Sequence, residues 1–268
     1  MRSVQLAGIE GVRWIPESPS GVAALVLAGS SGRVDSARAE VLARHGAIAE
    51  SIRWFGGPGQ HEGPWEIPLE LFLERVSDLA RTADRVVVLG TSFGSEAALL
   101  TGAHSPHVNA VAAFAPSDVV WAGVRPDESV TSHWTLSGSP LPYAKFVDDW
   151  EPDTDPPAFL GHYMECRRRF PESLSAAAIP VERIAQVLLV AGGDDQVWPS
   201  VAMAQAIKAR RSAHGLETTL VTDSDAGHRI VLPGEPRAEG GMRMRRGGTE
   251  AADLRLGAVA WSHLEALL

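Results

Sequence analysis

The chain has 268 residues, 45% of them hydrophobic and 21% charged, which are the proportions of an ordinary folded domain. A formal charge of −9, from 24 basic and 33 acidic side chains, argues against long-range attraction to nucleic acid or an anionic membrane. One cysteine, Cys166, excludes an internal disulfide framework and any multi-cysteine metal cluster.

No apolar run approaches the roughly 20 residues needed to span a bilayer. The opening MRSVQLAGIEGVRWIPE alternates polar and apolar residues and lacks the apolar core of a signal peptide. The expectation is a soluble, cytoplasmic protein. No internal repeat or low-complexity segment stands out.

Taken in chain order, short β runs alternate with helical stretches. Val4–Leu6 and Val12–Ile15 read as two strands joined by a turn containing Gly8 and Gly11. Val22–Ala28 (VAALVLA) is apolar throughout, as suits a strand buried on both faces. A Gly-Ser-Ser-Gly loop leads to a helix over Ala37–Arg44, and Ala47–Trp54 is a further strand before the breaker-rich FGGPGQHEGP. Leu69, Phe72, Leu73, Val76 and Ala80 share one helical face.

Arg85–Gly90 (RVVVLG) is a β-branched strand, Ala97–Leu100 is helical, and Val108–Ala115 is another buried strand. Val187–Ala191, Leu216–Val221 and a last helix through Leu254, Ala258, Trp261 and Leu268 complete the pattern. This alternation predicts an α/β fold, a mostly parallel sheet flanked by helices, in one domain over residues 1–268. Between about Trp121 and Ile184 the alternation breaks down into prolines, scattered aromatics and the acidic DDWEPDTD. That stretch is expected to be a cap-like insertion with helices of its own. Its Trp121 and Trp134, with Trp198 further on, are candidate substrate-binding residues; the alternative is that such aromatics simply pack the insertion onto the body.

The segment RVVVLGTSFGSEAALL carries the chemistry. Gly90-Thr91-Ser92-Phe93-Gly94 has the G-x-S-x-G spacing between a strand and a helix, the context of a nucleophile elbow. A serine hydroxyl needs a base, and the base an orienting acid. Asp194 and Asp195 follow a buried strand in VLLVAGGDDQVWPS, and the G-x-x-D-x-x-W-P spacing counted from Gly192 selects Asp195.

Of the nine histidines, His228 alone follows the last strand in a Gly-containing loop, where the base belongs. His104 and His107 have a helical spacing but no nearby third ligand, so no metal is expected. Two N–H donors must face the developing oxyanion. Phe93, after the nucleophile, and Ser30, in the loop after the first buried strand, are the candidates.

With these residues in place, the chain resembles the C-terminal catalytic domain of the acyl-CoA thioesterase and bile acid-CoA:amino acid N-acyltransferase family. The resemblance rests on LVLAGSSG, LARHGAIAESIRWFG, LGTSFGSEAALL, AAFAPSDVVWAG, AAIPVERI, VLLVAGGDDQVWPS and AGHRIVLP, spread from Val22 to Pro233. It implies an α/β-hydrolase fold and attack on an acyl thioester, with Ser92 as nucleophile, Asp195 as acid and His228 as base. Mammalian members carry an N-terminal β-sandwich domain, whereas about twenty residues precede Val22 in this sequence, so substrate features supplied by that domain are not carried over.

Amino-acid-conjugating members have Cys at the elbow, and Ser92 resembles the hydrolysing ones. The expected function is therefore serine-dependent hydrolysis of a small-molecule acyl thioester, linked to coenzyme A or a carrier protein, with no cofactor. A carboxylesterase or lactone hydrolase, or an N-acyltransferase, is the alternative. The clusters Arg167-Arg168-Arg169 and Arg243, Arg245, Arg246 are candidates for phosphate contacts or simply solvated surface. Cys166 lies off every motif and reads as a small idle thiol.

Overall fold

The computed structural model describes residues 1–237 and 241–268. Eight strands form the main sheet: β1 (Arg2–Gln5), β2 (Gly11–Ile15), β3 (Val22–Leu27), β4 (Ile48–Ile52), β5 (Arg85–Thr91), β6 (Ala110–Phe114), β7 (Gln186–Gly192) and β8 (Thr219–Asp223). Their order across the sheet is β1-β2-β4-β3-β5-β6-β7-β8. The pairs β1–β2 and β2–β4 are antiparallel and the others parallel. The elbow thus leaves the sheet from β5, near its middle.

The alternation of side chains along the central strands feeds two cores. On one face Ala23, Leu25 and Leu27 of β3 belong to a core shared with α2 (Glu70–Ala80), α3 (Phe93–His104) and α6 (Ser200–Ala213). On the other, Val22, Ala24 and Val26 belong to a core shared with α1 (Ser36–Arg44) and α7 (Glu250–Glu265). Leu42 and Trp261 anchor this second layer.

The stretch expected to be an insertion contains two small hairpins, Ala122–Val124 with Val130–Ser132 and Trp134–Leu136 with Ser139–Pro140. It continues through α4 (Leu160–Arg169), α5 (Pro171–Ala176) and a 3₁₀ turn at Val181–Arg183. Trp134–Leu136 also pairs in parallel with Ile67–Pro68, which stitches this region to the chain before α2. Its own apolar centre holds Val119, Trp121, Val147, Cys166 and Trp198.

Most expected elements match to within a few residues, with one difference. The helix expected to follow the elbow from near Phe93, with Ala97–Leu100 inside it, is α3, which runs from Phe93 to His104. Every residue from Phe93 to Ala103 is buried, so the helix shows no polar face for a period to reveal. Helix α6 was not expected. Its inner face carries Met203, Ala204 and Ile207, but also Ser200 and Arg211, and these polar residues break the apolar stripe. Arg211 is fully buried and donates to the carbonyls of Val181, Ile184, Ala185 and Glu217.

Glu50 on β4 is another buried ion, fully covered and shared by Arg13 on β2 and Arg75 on α2 at 2.8 and 2.7 Å. Removing the carboxylate leaves two half-buried guanidiniums facing one another. Glu50→Ala is expected to cost about 3–5 kcal/mol of folding stability, read as a lower urea midpoint with an unchanged slope.

Candidate active site

Ser92 sits at φ +56°, ψ −124°, a conformation that L-residues rarely adopt. The turn closes because its flanking residues lack Cβ atoms. A Cβ on Gly90 would lie 2.0 Å from the Gly94 carbonyl oxygen, and one on Gly94 would lie 2.1 Å from that of Ala28. The Ser92 N–H is itself used, donating to the Phe114 carbonyl at 2.9 Å. The side chain is thereby held clear of the sheet at the N-terminus of α3.

The chain brings the three candidate catalytic residues together. His228 Nε2 lies 2.8 Å from Ser92 Oγ, and His228 Nδ1 lies 2.8 Å from Asp195 Oδ2. Asp195 and His228 are buried. Asp195 Oδ1 accepts the Val197 and Trp198 N–H groups, and Oδ2 also accepts the Ser200 hydroxyl. A carboxylate held this way fixes the imidazole tautomer that offers a lone pair to the serine.

Asp194 faces the other way, exposed, and accepts from the Gln196 amide and the Gly248 N–H. Beneath His228, Gly227 N–H donates to Asp253 of α7 at 2.8 Å, and burial pushes the Asp253 carboxyl above its ordinary range.

The loop after β3 abuts the serine: a Cβ on Gly29 would meet Ser92 Cβ at 3.3 Å. Ser30 lines the same cleft as Ser92, and Phe93 contributes a first-turn N–H of α3, one that helix geometry leaves open. The two candidate oxyanion donors therefore flank Ser92 from separate segments.

The candidate substrate-binding tryptophans do not reach this cleft. Trp121 is fully buried between Phe146 and Tyr163, and Trp134 is fully buried against Trp54, Phe72 and Phe93. Trp198 is buried with its ring 5.8 Å from the His228 ring. Large indoles gain most from full burial, and these surroundings are those of the packing alternative for these aromatics. The first arginine cluster is likewise engaged, Arg167 with Asp118, Arg168 with Glu165, and Arg169 with Glu165 and Asp149. Cys166 is buried, and burial pushes its thiol up.

Two residues that sequence reasoning missed hold the site together. Arg38 on α1 is buried and donates to Thr91 Oγ1 at 2.7 Å, to the Ile230 carbonyl at 2.9 Å and to both Glu235 oxygens at 3.0 Å. It bridges the elbow and the loop that carries His228. Glu96, four residues after Ser92, is fully buried and accepts from Trp121 N–H and Trp134 Nε1–H, with His133 Nδ1 at 3.4 Å. Neither residue belongs to a local motif, because their partners lie far away in the chain.

Among the described residues no group of three or more His, Cys, Asp or Glu side chains could hold a metal ion, and no helix is long and apolar enough to cross a membrane.

A sheet in this order, with a serine elbow on its fifth strand and the histidine after its last, defines an α/β-hydrolase. Residues 68–248 match the family described as BAAT / acyl-CoA thioester hydrolase C terminal. The chain belongs to that family, and it is an enzyme acting on ester or thioester bonds. Among solved structures it is similar to one assigned as a dienelactone hydrolase from Klebsiella pneumoniae subsp. pneumoniae. The TM-score is 0.54 at 14% identity, covering 97% of this chain and 92% of that one. A protein named m3DLH gives a TM-score of 0.53 at 17% identity, over 99% of this chain and 96% of that one. Likeness at such identities concerns the fold. A search of the curated proteins finds no match.

Two substitutions separate the roles. Asp195→Asn is expected to lower kcat by roughly 10⁴-fold, while Asp194→Asn stays close to the parent. Arg38→Met is expected to reduce kcat on the order of 10–100-fold with a smaller change in KM, because it loosens the elbow against the His228 loop. Steady-state kinetics on one activated ester reads all three.

Proposed function

We propose that this enzyme hydrolyses acyl thioesters through an acyl-enzyme on Ser92. The observation that carries the reading is the continuous relay Ser92 Oγ–His228 Nε2 and His228 Nδ1–Asp195 Oδ2, each link 2.8 Å long. His228 takes the serine proton as Oγ attacks the carbonyl. Ser30 and Phe93 N–H groups receive the negative charge of the tetrahedral intermediate. The proton passes from His228 to the departing thiolate, and water repeats the sequence to release the acid.

Family membership supports a thioester rather than an oxygen ester as the preferred bond. A serine acyl-enzyme favours water as acceptor, since its oxygen ester is less reactive toward an amine than a thioester would be. Coenzyme A or a carrier protein as the thiol component belongs to the same proposal.

Ser92→Ala is expected to abolish both hydrolysis and labelling by a fluorophosphonate probe while the circular dichroism spectrum is kept. Matched butyryl thioester and oxygen-ester substrates should give the higher kcat/KM for the thioester. Full turnover in the Ser92→Ala protein would remove the nucleophile assignment, and a strong oxygen-ester preference would make it a carboxylesterase. Amide product on adding glycine or taurine would make it an acyltransferase.

A further inference from the structure

Ser200 ends the segment VLLVAGGDDQVWPS and opens α6, yet it lies off the proton path from Ser92 to His228. It is buried, and its N–H is taken by the Trp198 carbonyl at 2.8 Å. The hydroxyl turns back to Asp195 and donates to Oδ2, the same oxygen that faces His228 Nδ1. Oδ1 is occupied separately, by the Val197 and Trp198 N–H groups at 2.8 and 3.2 Å. The N-terminus of α6 has no side-chain cap, and alanine is a better helix former than serine. What the hydroxyl supplies is its bond to the carboxylate.

Sharing one oxygen has a chemical consequence. A carboxylate oxygen has lone pairs for two donors, so the hydroxyl and the imidazole fit side by side. They compete electronically, because each draws charge from the same atom. The Ser200 bond favours the ionised carboxylate and leaves less charge on Oδ2 to hold a proton on His228. It also anchors Oδ2 while the loop N–H groups anchor Oδ1, which keeps the carboxylate from turning away from the imidazole.

We propose that Ser200 is a positioning residue that acts through Asp195 Oδ2 to lower the proton affinity of the Asp195–His228 pair, keeping His228 available as a base at mildly acidic pH. This rests on His228 acting as the base toward Ser92. The device suits a thioester. A cysteine-like thiol has a pKa of about 8.5, so its thiolate departs with little help from a proton and a less basic histidine loses little at that step.

Other ionisable groups surround the histidine. Arg229 follows it in the chain, Arg246 offers its carbonyl to the His228 N–H, and Asp194 accepts from Gly248 instead. Arg38, paired with Glu235, holds the Ile230 carbonyl, and Tyr163 packs on Trp198. Asp253, beneath Gly227 and 3.8 Å from Arg237, is pushed above its ordinary range by burial and titrates on the acid side too. All of these are present in every Ser200 variant, so they cancel in a comparison between variants.

The test follows kcat/KM for S-butyryl-N-acetylcysteamine from acidic to neutral pH. This substrate has no ionisable group in that range, so the acid limb belongs to the free enzyme. Without the hydroxyl the pair holds its proton to higher pH, and Ser200→Ala is expected to move the limb upward by about one unit. Ser200→Thr keeps the hydroxyl and should restore the parental limb. Ser200→Cys, with a weaker donor, should fall between and keeps the comparison if Ser200→Ala fails to fold.

A merely structural serine would lower the plateau and leave the limb in place. A limb unmoved in Ser200→Ala and Ser200→Cys, or moved to lower pH, would overturn the proposal. So would a shift that Ser200→Thr does not reverse, since it would follow the shape of the site rather than the hydroxyl. Turnover that survives Ser92→Ala would instead overturn the nucleophile reading, whatever the Ser200 variants do.

Discussion

The backbone of Ser92 is the constraint around which the rest is built. A non-glycine residue at φ +56° is unfavourable by about 1–3 kcal/mol, and it persists only because the neighbouring packing allows no other path. Gly90 and Gly94 allow β5, α3 and the end of β3 to approach within distances that any Cβ would forbid. The sheet supplies the rigidity: β5 is flanked by β3 and β6 in parallel register, and α3 is buried over almost its whole length. The strain therefore rests on the best-packed part of the molecule, where local relaxation is most costly.

Around that fixed point, separate tethers converge. Asp195 is held by three donors of its own loop, and His228 by the Arg246 carbonyl and the Gly227–Asp253 bond. Arg38 joins the elbow to the histidine loop, and Glu96 joins α3 to the hairpin region above it. Each tether is a charge or dipole placed where little water competes, so its direction is well defined.

Much of this was legible in the amino-acid sequence, for identifiable reasons. Strands buried on both faces announce themselves as apolar runs, and Gly90, Ser92, Gly94, Asp195 and His228 sit in segments whose chemistry is local. The long-range partners were not legible. Arg38 reads as an ordinary helix residue until Thr91 and Glu235 are brought beside it. Glu96 reads as a surface charge until α3 is seen to be buried all round. The aromatics left two readings open for the opposite reason, since an indole that packs a core and one that lines a pocket look alike in a string of letters. Helix α6 escaped because Arg211 places a charge on its inner face, satisfied only by carbonyls distant in the fold.

The central claim is that an acyl group passes through Ser92. Rapid quenching of the enzyme with a butyryl thioester, followed by proteolysis and mass spectrometry, measures this directly. The account predicts a transient butyryl increment on the peptide containing Ser92, absent when Ser92 is alanine. Steady turnover with no adduct on that peptide, or an adduct on any other residue, would contradict it.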